Sequence, residues 1–115
     1  MTPCIAIIHA TRNAVTAIED TFAQLWPEVE IVSLLDEYLS KELAKVGSLN
    51  DALTDRIARL AQFGIAGGAD AILYSCSAFG KAIEAARASI DIPVLKPNEA
   101  MLTEALAAGS HIRVV

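Results

Sequence analysis

Cys4 to His9 (CIAIIH) is a short unbroken apolar run, which at this length marks a strand buried on both faces. After Ala10-Thr11-Arg12-Asn13 the period changes. Val15, Ile18, Phe22 and Leu25 recur at helical spacing, and Pro27 stops the helix just after Trp26. Val29, Ile31 and Leu34, with Val32 and Leu35 between them, predict a second strand ending at Asp36-Glu37. From Glu37 to Gly47 the pattern is mixed, and Tyr38, Leu39 and Leu43 predict a short helical turn lying over the loop rather than in the core. Ser48 followed by Asp51 has the form of a capping box, after which Leu49, Leu53, Ile57, Leu60 and Ile65 keep helical spacing to Gly67-Gly68. Ala69 to Tyr74 predicts a third strand, Ile83, Ala86 and Ile90 a helix, and Ile92 to Leu95 a fourth strand with Pro93 near its start. Pro97 opens a further helix that holds Met101, Leu102 and Leu106 and ends at Gly109, and His111 to Val115 reads as a fifth strand.

Strands alternating with helices at this spacing predict an α/β fold, a three-layer sandwich with a parallel, flavodoxin-like sheet of strand order 2-1-3-4. Ligands of such sheets sit beyond the carboxyl ends of the strands. That places interest on 9–13, 35–37, 75–80 and 96–99, where most of the distinctive polar residues fall.

Composition narrows the classes of function. The chain has 115 residues, 54% of them hydrophobic, and a net charge of −5 from nine Lys plus Arg against fourteen Asp plus Glu. This is enough aliphatic material for one domain with a buried core. With no basic cluster to neutralise phosphates, nucleic acid is not an expected partner, and neither is an anionic membrane surface. No apolar run reaches the roughly 20 residues of a membrane span, and the start lacks a signal-peptide pattern, so the expected location is cytoplasmic. Cys4 and Cys76 have no second Cys or His at metal-ligand spacing, so no metal is expected. The glycines precede a strand instead of following one, which removes the usual nucleotide-binding loop. A receiver domain of similar length would carry an acidic cluster where this chain has His9-Ala10-Thr11.

Cys76 follows a buried strand and precedes a helix, where free amides favour a thiolate and lower the thiol pKa. The amides of Ser77, Ala78 and Phe79, with the Ser77 hydroxyl, suit a carboxylate or enolate oxygen. The plainer alternative is a small core cysteine, and for Cys4, inside the first strand, that alternative is preferred. His9 either orients or protonates a substrate or hydrogen-bonds a loop. Thr11 either contacts substrate or caps the next helix, as Asn13 does. Asp36 either holds a ligand amine or caps the turn after it. Lys96, Asn98 and Glu99 occupy the fourth edge, where Asn98 or Glu99 as helix-start residues is the more economical account.

The segment Ala69-Asp70-Ala71-Ile72-Leu73-Tyr74-Ser75-Cys76-Ser77-Ala78-Phe79-Gly80, followed by Ile92-Pro93-Val94-Leu95, resembles the aspartate/glutamate racemase superfamily. Ile7-Ile8-His9-Ala10-Thr11 and Leu34-Leu35-Asp36 look like an uncharacterised branch of it. The superfamily includes amino-acid and hydantoin racemases, maleate isomerase and arylmalonate decarboxylase, which use neither metal nor pyridoxal phosphate. The resemblance implies one lobe of a pseudo-symmetric two-lobe fold, with residues 1–96 as the N-terminal lobe and 97–115 as a crossover helix and the first strand of a second, absent lobe. It implies a cofactor-independent isomerase acting on a small carboxylate. Cys76 would be the first lobe's acid/base or nucleophile, Ser77 and its neighbours would hold the carboxylate, and His9 to Thr11 would line the pocket. Ser77 and Ala78 stand where amino-acid racemases carry Asn and Thr, which moves the expectation away from an α-amino acid. Decarboxylation and cis-trans isomerisation are the alternative chemistries. A non-catalytic carboxylate-binding or self-associating fragment, including a homodimer, is the alternative class.

Overall fold

The computed structural model describes residues 3–95, without the side chains of Leu25 and Ser77. Strand β1 (Cys4–His9) leads into helix α1 (Arg12–Leu25), then β2 (Glu30–Leu35), α2 (Glu37–Val46), α3 (Asp51–Ala66) and β3 (Ala71–Tyr74). A single 3-10 turn (Ser77–Phe79) precedes α4 (Gly80–Ala88), and β4 (Val94–Leu95) follows. The four strands pair in parallel in the order β2-β1-β3-β4, the expected α/β arrangement. The expected helix from Pro97 and the strand His111 to Val115 lie outside the described residues.

Alternation along the strands divides the core between two faces. Ala6, Ile8, Ile72 and Tyr74 pack with Leu53, Ile57 and Ala61 of α3 and with Ile83 and Ala86 of α4. Ile5, Ile7, Ala71, Leu73 and Leu95 face Phe22 and Trp26 at the end of α1. Both faces of β1 and β3 are covered, which explains their unbroken apolar sequences.

The structure corrects the boundaries in places. The segment after Asp36 is a ten-residue helix, and its Leu39 is fully buried in the core instead of lying over a loop. Its other sides are largely exposed, so only Leu39 and Leu43 carry the helical period. Asn50 caps α3, its side chain accepting from the Leu53 amide at 2.8 Å, so the Ser48 capping box does not form. Only Gly68 of the glycine pair adopts a left-handed conformation, at φ 99°, while Gly67 at φ −80° is right-handed. β3 begins at Ala71 because the Asp70 carboxylate turns back to accept from the Cys4 amide at 2.8 Å. β4 keeps only Val94 and Leu95, and the helix after the 3-10 turn ends before Ile90.

Candidate functional site

Backbone hydrogen bonds bind the loops at the carboxyl edge to one another. The Asp36 amide donates to the His9 carbonyl at 2.9 Å, the Ser75 amide to the Ile8 carbonyl at 2.9 Å, and the Ser40 hydroxyl to the Ala10 carbonyl at 2.9 Å. Arg12 adds an exposed ion pair with Glu37 at 3.0 Å. The edge therefore holds His9, Asp36 and Cys76 on one framework: His9 ends β1, Asp36 directly follows β2, and Cys76 is the second residue after β3.

Cys76 has an extended backbone (φ −104°, ψ 102°) and caps the 3-10 turn, with the Phe79 amide reaching its carbonyl at 3.4 Å. It is buried in the apolar cluster that also contains Tyr74, Phe79 and Ile83. Burial pushes its thiol up to about 11, against a smaller lowering by a backbone hydrogen bond. This corrects the expectation of a lowered pKa: the cost of removing a thiolate from water exceeds what one turn of amides returns. Tyr74 is likewise held well above the ordinary phenol range, first by burial and then by Cys76, and its hydroxyl donates to the Ile57 carbonyl at 2.7 Å.

The other predicted residues divide by what they touch. Thr11 occupies the cap position of α1, is exposed, and makes no side-chain capping bond. Ala78 is exposed in the 3-10 turn, and Ser77 opens that turn. The Ser77 side chain, with Lys96, Asn98 and Glu99, is outside the described set. Asp36 caps α2, accepting from the Tyr38 amide at 3.1 Å, and takes both Arg56 Nε at 2.5 Å and Nη2 at 3.1 Å. Its carboxylate is thus occupied by structural partners. Cys4 is half-buried at the opposite end of the sheet, and its thiol is raised by burial and then by Glu30 and Asp70.

His9 is fully buried, and both ring nitrogens have partners. Nδ1 lies 2.7 Å from Ser75 Oγ and Nε2 lies 3.3 Å from Ser33 Oγ, whose hydroxyl donates to Glu19 Oε2 at 2.9 Å. Burial lowers the pKa of His9, and the Glu19 charge opposes this weakly. Ser33 and Glu19 lie outside the stretches the sequence singles out, and Ser75 falls within 75–80 without a role of its own. Ser33 leaves a trace as the lone hydroxyl within the apolar run 31–35, whereas Glu19 looks like any solvent-facing helix residue.

A groove of about 540 Å³ runs between α2 and α3, lined by Tyr38, Arg56 and Phe63 among others, and does not include Cys76. Among the described residues no group of three or more His, Cys, Asp or Glu is placed to hold a metal ion. None of their helices is long and apolar enough to cross a membrane.

A solved structure, a candidate Asp/Glu racemase from Yersinia pestis, superposes with a TM-score of 0.63 at 14% identity, over 97% of this chain and 49% of that one. At that identity the likeness concerns the fold, and the chain spans about half the length of that structure. No curated protein matches the chain. The sequence model of the Asp/Glu/hydantoin racemase family matches residues 3–115, and the chain belongs to that family.

Proposed function

We propose that this chain is the N-terminal lobe of a metal- and cofactor-independent racemase or isomerase-like enzyme, in which the Cys76 thiol acts on a small carboxylate. The observation that carries the reading is the position of Cys76: buried, beyond the carboxyl end of central strand β3, and followed by a turn that begins with the amides of Ser77 and Ala78. Amides so placed suit the negative charge that grows on a carboxylate when its α-proton leaves. Thr11, exposed at the start of α1 on the same carboxyl edge of the sheet, would line the pocket. Family membership supplies the substrate class, and the half-length match supports a second lobe reached through 97–115. A cytosolic location belongs to the same proposal.

A thiol raised to about 11 rests protonated at neutral pH. Cys76 therefore begins the cycle as the acid that returns a proton to the carbanion, and its thiolate, once formed, is a strong base. Incubating the full-length protein with a carboxylate panel and identifying the products tests the reaction class. Inversion at the α-carbon with mass conserved supports racemisation. Loss of CO₂ or a changed double-bond geometry assigns the decarboxylase or cis-trans isomerase chemistry instead.

A second reading has its own observation. Strand β2 is at the edge of the described sheet and exposes Val32 at 45% and Leu35 at 41%, an apolar edge suited to self-association. Sedimentation giving a concentration-independent monomer contradicts it.

A further inference from the structure

With a neutral His9 ring, the chain of side-chain contacts from Glu19 to Ser75 has only one arrangement of protons that uses every contact. The Glu19 carboxylate can only accept, and the Ser33 hydroxyl has one proton, which it gives to Glu19 Oε2 at 2.9 Å. Toward His9, Ser33 Oγ is then an acceptor, so Nε2 must be the nitrogen that carries hydrogen across the 3.3 Å contact. A fully buried ring favours the neutral state. Nδ1 is then a bare lone pair and accepts the Ser75 hydroxyl at 2.7 Å, in preference to the Ile8 carbonyl, which lies 3.4 Å from the same oxygen.

We infer that Glu19, acting through Ser33, fixes the Nε2–H tautomer of His9, and that His9 in turn fixes the Ser75 hydroxyl as a donor to Nδ1, so that these four residues position the strand end carrying Cys76. The relay crosses three elements: Glu19 is on α1, Ser33 on β2 and His9 on β1. Ser75 directly follows β3 and is bonded to Cys76 through one peptide. His9 thus acts on the site through Ser75 as a positioning residue. In the Nδ1–H form the contact reverses: Ser75 Oγ accepts from Nδ1 and gives its own proton to the Ile8 carbonyl of β1, 3.4 Å away, which moves the residue that precedes Cys76.

The link to catalysis rests on the proposed role of Cys76, whereas the tautomer is read without turnover, so the two fail separately. In the full-length protein labelled with ¹⁵N-histidine, long-range ¹H–¹⁵N correlation distinguishes the protonated from the bare ring nitrogen, and His9→Gln assigns the signals. The wild type is expected to show Nε2–H alone at neutral pH. Ser33→Ala and Glu19→Ala should each give a mixture with the Nδ1–H form, and Glu19→Gln, which keeps an acceptor for Ser33, should restore the single tautomer. A wild-type Nδ1–H ring, or a tautomer unchanged in both alanine variants, overturns the relay. With Cys4→Ser as background, Glu19→Ala should also raise the alkylation rate of Cys76 several-fold. An unchanged rate beside a released tautomer overturns the positioning of the Cys76 turn.

Discussion

At the scale of single residues the site is governed by desolvation. Cys76 lies where amides and a helix start favour a thiolate, yet it is enclosed by Tyr74, Phe79 and Ile83, and burial dominates. In a Cys4→Ser background, the rate of Cys76 alkylation by iodoacetamide, followed by intact mass, is expected to climb with pH toward a midpoint of about 11. A midpoint below 8 contradicts the burial account. His9 gives a second prediction, with the opposite sense in pH. Its folded pKa is below the ordinary histidine value of about 6.5. As the pH falls through that value, the unfolded chain takes up a proton that the folded chain refuses. Stability is full above it, declines below it, and levels off once the pH passes the folded value. Urea midpoints at pH 5.5 and 7.5 should differ, and His9→Gln should shrink the difference.

At the scale of elements, close approach and capping decide what is tolerated. A Cβ added at Gly64 would stand 2.8 Å from both Ala6 Cβ and Ile72 Cδ1, so α3 rests on the sheet through a position that needs glycine for space. Gly64→Ala gains about 1 kcal/mol of helix propensity, but overpacking against Ala6, fixed in β1, costs roughly 1–3 kcal/mol. A lower Tm by calorimetry is expected. Asn50→Ala removes the acceptor for Leu53 and should cost about 1 kcal/mol in urea unfolding, whereas Ser48→Ala should change little. The strands and long helices were legible because burial on both faces of β1 and β3 and on one face of α1 and α3 leaves distinct periods. The cap of α3 was misread because Ser48 and Asn50 suit the role equally by residue type. α2 was read as a turn because one fully buried leucine, Leu39, anchors it. Among the candidate residues, the position of Cys76 beyond a buried strand is legible in the sequence, though its burial is not. The Glu19–Ser33–His9–Ser75 contacts join residues 14, 24 and 66 positions apart, and no local pattern records them.

At the scale of the whole molecule, the proposed reading makes the described residues one wall of a site. Cys76 lies buried at the carboxyl edge, at the head of its turn, and His9 is withdrawn behind Ser75. Deprotonating an α-carbon and returning the proton on the opposite face needs a second group across the substrate; in the proposed reading a second lobe brings it, and the chain spans 49% of the solved structure it resembles. The central claim is that the Cys76 thiol exchanges a proton with the α-carbon of a carboxylate. Its most direct test is deuterium incorporation at that carbon in D₂O, followed by NMR for the full-length protein and for Cys76→Ser with a carboxylate panel. The account predicts exchange by the wild type on at least one carboxylate and a loss of about 100-fold or more in the variant, in line with the usual contribution of a positioned acid or base. Exchange at the same rate in Cys76→Ser contradicts it.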